Sequence, residues 1–340
     1  MKNKFSLKRL GLVIAGLIVL ACFLVPIPFY VEGPGATIDL SELIKVNGKE
    51  DQHSGSFSLT SVGIRQGTVA TVAKAKFSDF EDVVSKDELM GGATTEEYDQ
   101  MQAYYMESSQ NAAIEQALKL ADKPYEMTYL GVYVMAIDSA SSFYGKIAVG
   151  DTVTKVNGKS FADADALVDY VHNQTVGDEV TVTYLHNDKE KEARGKLIEL
   201  PEPNKGKAGI GITLTSHTKI KTDEKIVFDV DNIGGPSAGL MFTLEIYQQL
   251  IEEDLRQGLD IAGTGTMNAD GTVGQIGGID KKVASAAESG AKIFFAPKGE
   301  SEEDTNYKEA KAAAKKLSTD MKIVPIATLN DAVSYLEKLN

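Results

Sequence analysis

The chain has 340 residues, 43% of them hydrophobic and 25% charged, a globular composition with enough length for two or three domains that each bury a core. Its formal net charge of −14, from 35 basic against 49 acidic residues, argues against a nucleic-acid surface. A single cysteine, Cys22, excludes internal disulfides, and His53, His172, His186 and His217 show no metal-ligand spacing, so no metal, cofactor or cysteine mechanism is expected.

Lys2, Lys4, Lys8 and Arg9 precede an uncharged stretch at 10–31. At about 1.5 Å per residue this stretch is roughly 33 Å long, close to the ~30 Å hydrocarbon core of a bilayer. The expectation is a basic cytoplasmic tail at 1–9 and a single transmembrane anchor at 10–31, with the remainder at the outer side of the cell membrane. A cleavable signal peptide is the alternative, but the apolar run is long for one and no A-x-A-like site closes it. Cys22 sits in a faint likeness of a lipoprotein processing site. The residues after it stay apolar, which suits a membrane interior better than a polar tether.

The region 32–124 predicts a strand at 55–62 and helices at 69–84 and 95–120. It holds no catalytic motif. Tyr104 and Tyr105 read as packing or solvated surface, and the region is either a spacer domain or part of the catalytic domain's sheet. Over 125–200 the pattern changes to short β-rich runs separated by turns. Asn157-Gly158 between apolar alternations predicts a hairpin, a helix is expected at 162–172, and 180–184 alternates as a strand. A polar linker at 201–207 marks the next boundary, after which strands are expected at 210–214, 226–230, 292–295 and 322–326. Helices at 302–317 and 330–339 complete a mixed α/β layer architecture over 208–340.

The chemistry concentrates in Gly234-Gly235-Pro236-Ser237-Ala238-Gly239 and in Gly277-Gly278-Ile279-Asp280-Lys281-Lys282. Pro236 suits a first helical turn, so Ser237 is expected at a helix start, where free N–H groups near Gly235 and Ser237 would stabilise an oxyanion. A serine there also reads as an ordinary helix cap. Asp280 reads as an N-cap that puts Lys282 in a first turn, where the helix dipole opposes a cation and favours the neutral amine that a serine needs as a base. Lys281 is assigned to solvent. No His-Asp pair offers a comparable partner, and His217 is the first substitute base to test. The glycines from Gly263 to Gly278 also read as a phosphate-cradling loop, but no Lys-Ser/Thr follows them.

Two resemblances follow from these residues. Gly131-Val132-Tyr133-Val134, Gly150-Asp151 and Val156-Asn157-Gly158 make 125–200 resemble a PDZ domain of the bacterial protease type. That resemblance implies a loop at Tyr129, Leu130, Gly131 and Val132 that offers N–H groups to a peptide carboxylate beside an open strand edge, although such a fold can also serve only to pack against its neighbour. Gly-Pro-Ser-Ala-Gly, with Lys282 placed 45 residues after Ser237 in a Gly-Gly-Ile-x-x-Lys run, resembles the proteolytic domain of the Lon family. It implies Ser237 as nucleophile, Lys282 as base and Thr264 as the residue that orients the lysine.

The whole chain resembles the Lon-like PDZ peptidases of Gram-positive bacteria. The expectation is a membrane-anchored, extracytoplasmic Ser-Lys endopeptidase that trims a secreted signalling peptide, such as a competence pheromone. It would need no ATP, since no Gly-x-x-x-x-Gly-Lys-Ser/Thr loop is present. The rival readings are an envelope quality-control protease that recognises C-termini and a non-catalytic PDZ adaptor.

Overall fold

The computed structural model describes residues 7–49, 51–230, 233–299, 301 and 303–339. Lys2 and Lys4 of the expected tail, and the Glu302 at which a helix was expected to begin, lie outside them. Helix α1 (Leu7–Leu24) carries exposed apolar side chains from Leu10 onward on every face. It ends before Pro26, whose missing N–H cannot extend a helix, and Pro26 opens strand β1 (Pro26–Asp39). The stretch 10–31 is therefore divided between a helix and a strand rather than forming one span. Among the described residues no helix is long and apolar enough to cross a membrane.

Strand β2 (Ile44–Val46) is short, and β3 (Ser56–Thr68) runs antiparallel along β1. Thr68 ends β3 and caps α2 (Val69–Ala75) through a reciprocal box with Thr71. The helix expected at 69–84 stops at Ala75, because the β-branched pair Val83-Val84 joins β4 (Asp82–Ser85) on the other edge of β1. Ser85 with Glu88 and Thr94 with Glu97 then close capping boxes on α3 (Lys86–Met90) and the long α4 (Thr95–Leu120).

The β-rich module begins with β5 (Glu126–Ile137). Strands β6 (Thr152–Val156) and β7 (Lys159–Ser160) are joined by Asn157 and Gly158, whose φ values of 52° and 74° are those of the expected hairpin turn. Helix α5 (Ala164–His172), β8 (Glu179–His186), β9 (Lys189–Lys196) and the small pair β10 (Ile198–Glu199) and β11 (Ala208–Gly209) follow. Strand β12 (Ile212–Lys221) then returns along the full length of β5, so the sheet order is β12-β5-β6-β8-β9. This moves the domain boundary: residues 212–221, expected in the catalytic domain, complete the β-rich module. Its core, including Val132, Val134, Val153, Leu167 and Val182, lies under α5.

The remaining elements are β13 (Ile226–Phe228), which pairs with β2, then α6 (Gly239–Leu250), β14 (Asp260–Gly263), β15 (Thr266–Met267), β16 (Val273–Gly274) and α7 (Ile279–Glu288). The chain closes with β17 (Ile293–Pro297), α8 (Asn306–Leu317), β18 (Lys322–Ile326) and α9 (Leu329–Glu337). The main sheet has the order β18-β17-β14-β3-β1-β4, with β14 parallel to both β17 and β3. Three of its six strands thus come from the region before α4.

One face of this sheet packs Phe57, Leu59, Ile261 and Phe295 against Leu240, Phe242 and Leu244 of α6. The other packs Ala262 and Phe294 against Ile279 and Val283 of α7 and Ala310 and Ala314 of α8. At the far end of α6, Arg256 is wholly buried between Asp51 and Glu245, and burial first of all pushes the Glu245 carboxyl up to about 7.

Candidate active site

The central sheet ends in a turn that ties two distant segments together. Thr264 N–H donates to the Phe295 carbonyl at 3.1 Å, Gly265 N–H donates to the Ser237 carbonyl at 2.9 Å, and Leu240 N–H returns to the Gly265 carbonyl at 3.1 Å. Gly265 lies at φ 146°, and a Cβ there would meet Val273 Cγ1 at 2.4 Å, so only glycine permits this clamp. Helix α6 begins at Gly239 with Ala238 at its N-cap and no side-chain cap bond. Ser237 therefore sits two residues ahead of the helix and does not cap it, which leaves its hydroxyl free for another partner. Asp231 and Asn232, which precede this motif in the sequence, lie outside the described residues.

Helix α7 brings that partner. Its N-cap is Gly278 at φ 65°, not Asp280, which is the second residue of the helix, and a Cβ on Gly278 would press Val62 Cγ2 at 2.8 Å. Lys282 then points into the sheet end, where it is 3% exposed. Its Nζ lies 2.8 Å from Ser237 Oγ, 2.8 Å from the Thr60 carbonyl and 3.1 Å from Thr264 Oγ1. Burial away from water lowers its pKa from 10.5 to about 7.

The acceptors around Nζ fix the direction of two of its three bonds, and the bond to Ser237 Oγ runs from the ammonium form to the serine or from the serine to the neutral amine. The Thr60 carbonyl only accepts, and Thr264 spends its one O–H on the Ser237 carbonyl at 3.0 Å, so Thr264 Oγ1 also accepts from the lysine. A neutral amine has two N–H donors and one lone pair. Both donors are used, and the lone pair is left facing the Ser237 hydroxyl, in the arrangement that a proton-accepting base requires.

The structure corrects several expectations. Gly235 is not a free oxyanion donor, because its N–H reaches the Gln102 carbonyl at 3.3 Å; Ser237 N–H has no acceptor among the described residues. Lys281 is 3% exposed rather than solvated, bonded to Asp82 at 2.5 Å and near Asp280 at 3.4 Å. His217 is no substitute base: its Nδ1 is 2.7 Å from Thr152 Oγ1 and its Nε2 faces Glu107, both away from the serine cleft. Tyr129, Leu130, Gly131 and Val132 do not form a loop beside an open edge. They lie within β5, which is flanked by β12 and β6, with Gly131 opposite His217 and Val132 opposite both Ser216 and Val153.

The groove of that module lies elsewhere. A cavity of about 330 Å³ opens between α5 and β12, lined by Leu167, Val171, Ile212 and Leu214, with Gly209 and Gly211 also in its wall. Strand β12 is the edge strand beside it.

Helix α4, for which the sequence carried no catalytic signal, joins the two domains. Its Gln102 carbonyl accepts from Gly235, and its Ser109 Oγ donates to the Pro236 carbonyl at 3.2 Å. On the other side its Tyr104 stacks on Tyr133 of β5 at 4.3 Å between centroids and donates to the Ser216 carbonyl of β12 at 2.6 Å. The sequence places this helix at 95–120, but nothing in it says where the helix docks.

Residues 105–197 match the PDZ domain family, and residues 230–337 match the Lon protease (S16) C-terminal proteolytic domain. Over 101 residues the chain is 28% identical to the Lon protease of Neorickettsia sennetsu, a stretch that covers 30% of this chain and 11% of that protein. The chain thus spans about a tenth of the length of this curated relative. The PDZ domain of an SdrC-like protein from Listeria monocytogenes is similar at 36% identity, covering 26% of this chain and 90% of that one, with a TM-score of 0.24. That of an SdrC-like protein from Listeria innocua is similar at 34%, covering 26% of this chain and 96% of that one, also with a TM-score of 0.24.

A cleft with a serine against a buried amine, on a mixed α/β sheet matched by a proteolytic domain, defines a serine peptidase. More particularly, the chain couples a PDZ domain to a Lon-type proteolytic domain.

Proposed function

We propose that this peptidase is a Ser-Lys endopeptidase that works without ATP at the outer face of a membrane and trims a secreted signalling peptide. The observation that carries the catalytic part is the donor inventory at Lys282, which leaves one lone pair directed at the Ser237 hydroxyl 2.8 Å away. In the reaction, Lys282 takes the hydroxyl proton as Ser237 Oγ bonds to the peptide carbonyl carbon, and Ser237 N–H meets the developing oxyanion. The ammonium then gives that proton to the leaving amine as the C–N bond breaks, and the same lysine activates the water that releases the acyl group. Thr264 and the Thr60 carbonyl hold Nζ in place throughout.

Membrane attachment is assigned to α1, whose large apolar side chains have no protein surface over them; Leu12 is 74% exposed. A peptide with a free C-terminus is assigned to the groove between α5 and β12, where it would extend the edge of the sheet and end near Gly209 and Gly211. The envelope quality-control reading uses the same groove, and C-terminally amidated substrates separate it from pheromone trimming. An adaptor role is disfavoured because a non-catalytic fold has no use for a buried, desolvated lysine against a serine. The test is mass spectrometry of secreted peptides from cells carrying wild-type protein or Ser237→Ala. Accumulation of an untrimmed peptide supports the reading, and identical peptidomes contradict it.

A further inference from the structure

The cleft around Ser237 has a volume of about 720 Å³ and, among the described residues, one charged side chain in its wall besides Lys282: Glu32 of β1. The register places Glu32 opposite Ile64 of β3 on one side and Asp82 of β4 on the other, and Ile64 also lines the cleft. Two carboxylates directly opposite across a strand pair repel one another. The protein neutralises the surrounding acids one by one. Asp82 holds Lys281 at 2.5 Å, and Glu81, on the next residue, holds Arg65 at 2.6 Å. Among the described residues Glu32 has no cation or hydrogen-bond donor of its own. Its charge does reach the Tyr98 phenol across the cleft, which is pushed up first by burial and then by Glu32.

We propose that Glu32 is a specificity-determining residue that receives a lysine or arginine side chain of the substrate three or four residues from the scissile bond. The proposal rests on the Ser-Lys peptidase reading and adds the class of substrate to it. The spacing follows from β3. The carbonyl of Thr60 touches Lys282, and Ile64 lies four positions further along the strand, about 13 Å at ~3.3 Å per residue. An extended peptide lying along that strand advances at the same rate. A long basic side chain that stands upright on the fourth residue, or leans away from the serine on the third, therefore reaches Glu32. A cation there completes the ion pair that the fold leaves open, while an acidic side chain meets both Glu32 and Asp82.

The test uses a degenerate peptide library with cleavage sites read by mass spectrometry. It then uses matched peptides in which the enriched position is lysine, norleucine or glutamate. These are cleaved by wild type, Glu32→Gln and Glu32→Lys. Wild type is expected to enrich Lys and Arg three or four residues from the cut and to favour lysine over norleucine by on the order of tenfold in kcat/KM, less at high salt. Glu32→Gln removes that ratio and Glu32→Lys turns preference toward glutamate. Because each ratio is taken on one enzyme, a loss of folded protein cancels. Absence of basic enrichment, or a lysine-to-norleucine ratio unchanged in Glu32→Gln, overturns the assignment and leaves the peptidase reading standing. Cleavage that survives Ser237→Ala overturns both.

Discussion

Gln102 accepts a hydrogen bond from Gly235 at 3.3 Å, so the loop that presents Ser237 hangs from the helix whose Tyr104 is stacked on the PDZ sheet. The nucleophile loop and the PDZ module therefore share one support, α4.

That support changes what a PDZ deletion does. Because β12 pairs with β5 over its whole length, removing 125–200 strips β12 of its partner and α4 of its Tyr133 contact. Hydrolysis of short peptides is expected to fall along with that of long ones. A milder probe is Tyr104→Phe, which keeps the ring stack, removes the hydroxyl's 2.6 Å bond to Ser216 and its 3.4 Å contact with Thr215, and should cost about 0.5–1.5 kcal/mol of stability by denaturant unfolding.

The groove itself is reached without disturbing α4. Val168 lines it on α5, and Val168→Lys is expected to weaken binding of a peptide with a free C-terminus, measured by fluorescence anisotropy. Turnover of a short peptide that does not enter the groove should stay near wild type.

Ser237→Ala is expected to lower kcat by at least about 10³-fold, since removal of a nucleophile leaves only binding and oxyanion contributions. The hydroxyl caps no helix, so the melting temperature should barely move.

Lys282 also links activity and stability to pH. Its folded pKa is depressed from 10.5 to about 7 by burial, so the unfolded chain binds more protons between those values. Stability is then lowest below pH 7 and rises by up to about 1.4 kcal/mol per pH unit above it, while the peptidase gains its neutral base over a limb centred near 7. Lys282→Met should flatten the stability limb and abolish cleavage. Lys281 shifts the other way: burial pulls it down, but Asp82 and Asp280 outweigh that, and their contribution is lost only above its raised pKa. Lys281→Ala is therefore not a silent control, because it leaves Asp82 beside Glu32 with no cation.

Arg256→Ala is expected to destabilise by about 3–5 kcal/mol, measured by denaturant unfolding, because it strands Asp51 and Glu245 in the interior. The folded fraction should keep its peptidase activity.

The parts of the site written as local motifs were legible. A serine before an apolar helix, taken together with a lysine early in the next one at the spacing of the Lon-type motif, points to acyl transfer without a structure. What stayed hidden depends on long-range pairing. The Thr60 carbonyl is a backbone group and has no sequence signature, yet it is one of three partners of Lys282. Strand β12 reads as the first strand after a linker, and only its register with β5 assigns it to the PDZ sheet. That same pairing closes the edge at Tyr129 to Val132 on which a peptide was expected. Lys281 reads as solvated because charged side chains usually are; its burial follows from β4, which lies within a stretch expected to be helical.

The central claim is that Lys282 acts by losing a proton, and Lys282→Arg tests it most directly. Arginine keeps the positive charge and donor capacity but does not deprotonate in this pH range. With the fold verified by circular dichroism and thermal melting, the account predicts no cleavage by Lys282→Arg at any pH where wild type is active. A substantial rate with arginine at position 282 would contradict it and reduce the residue to an electrostatic clamp.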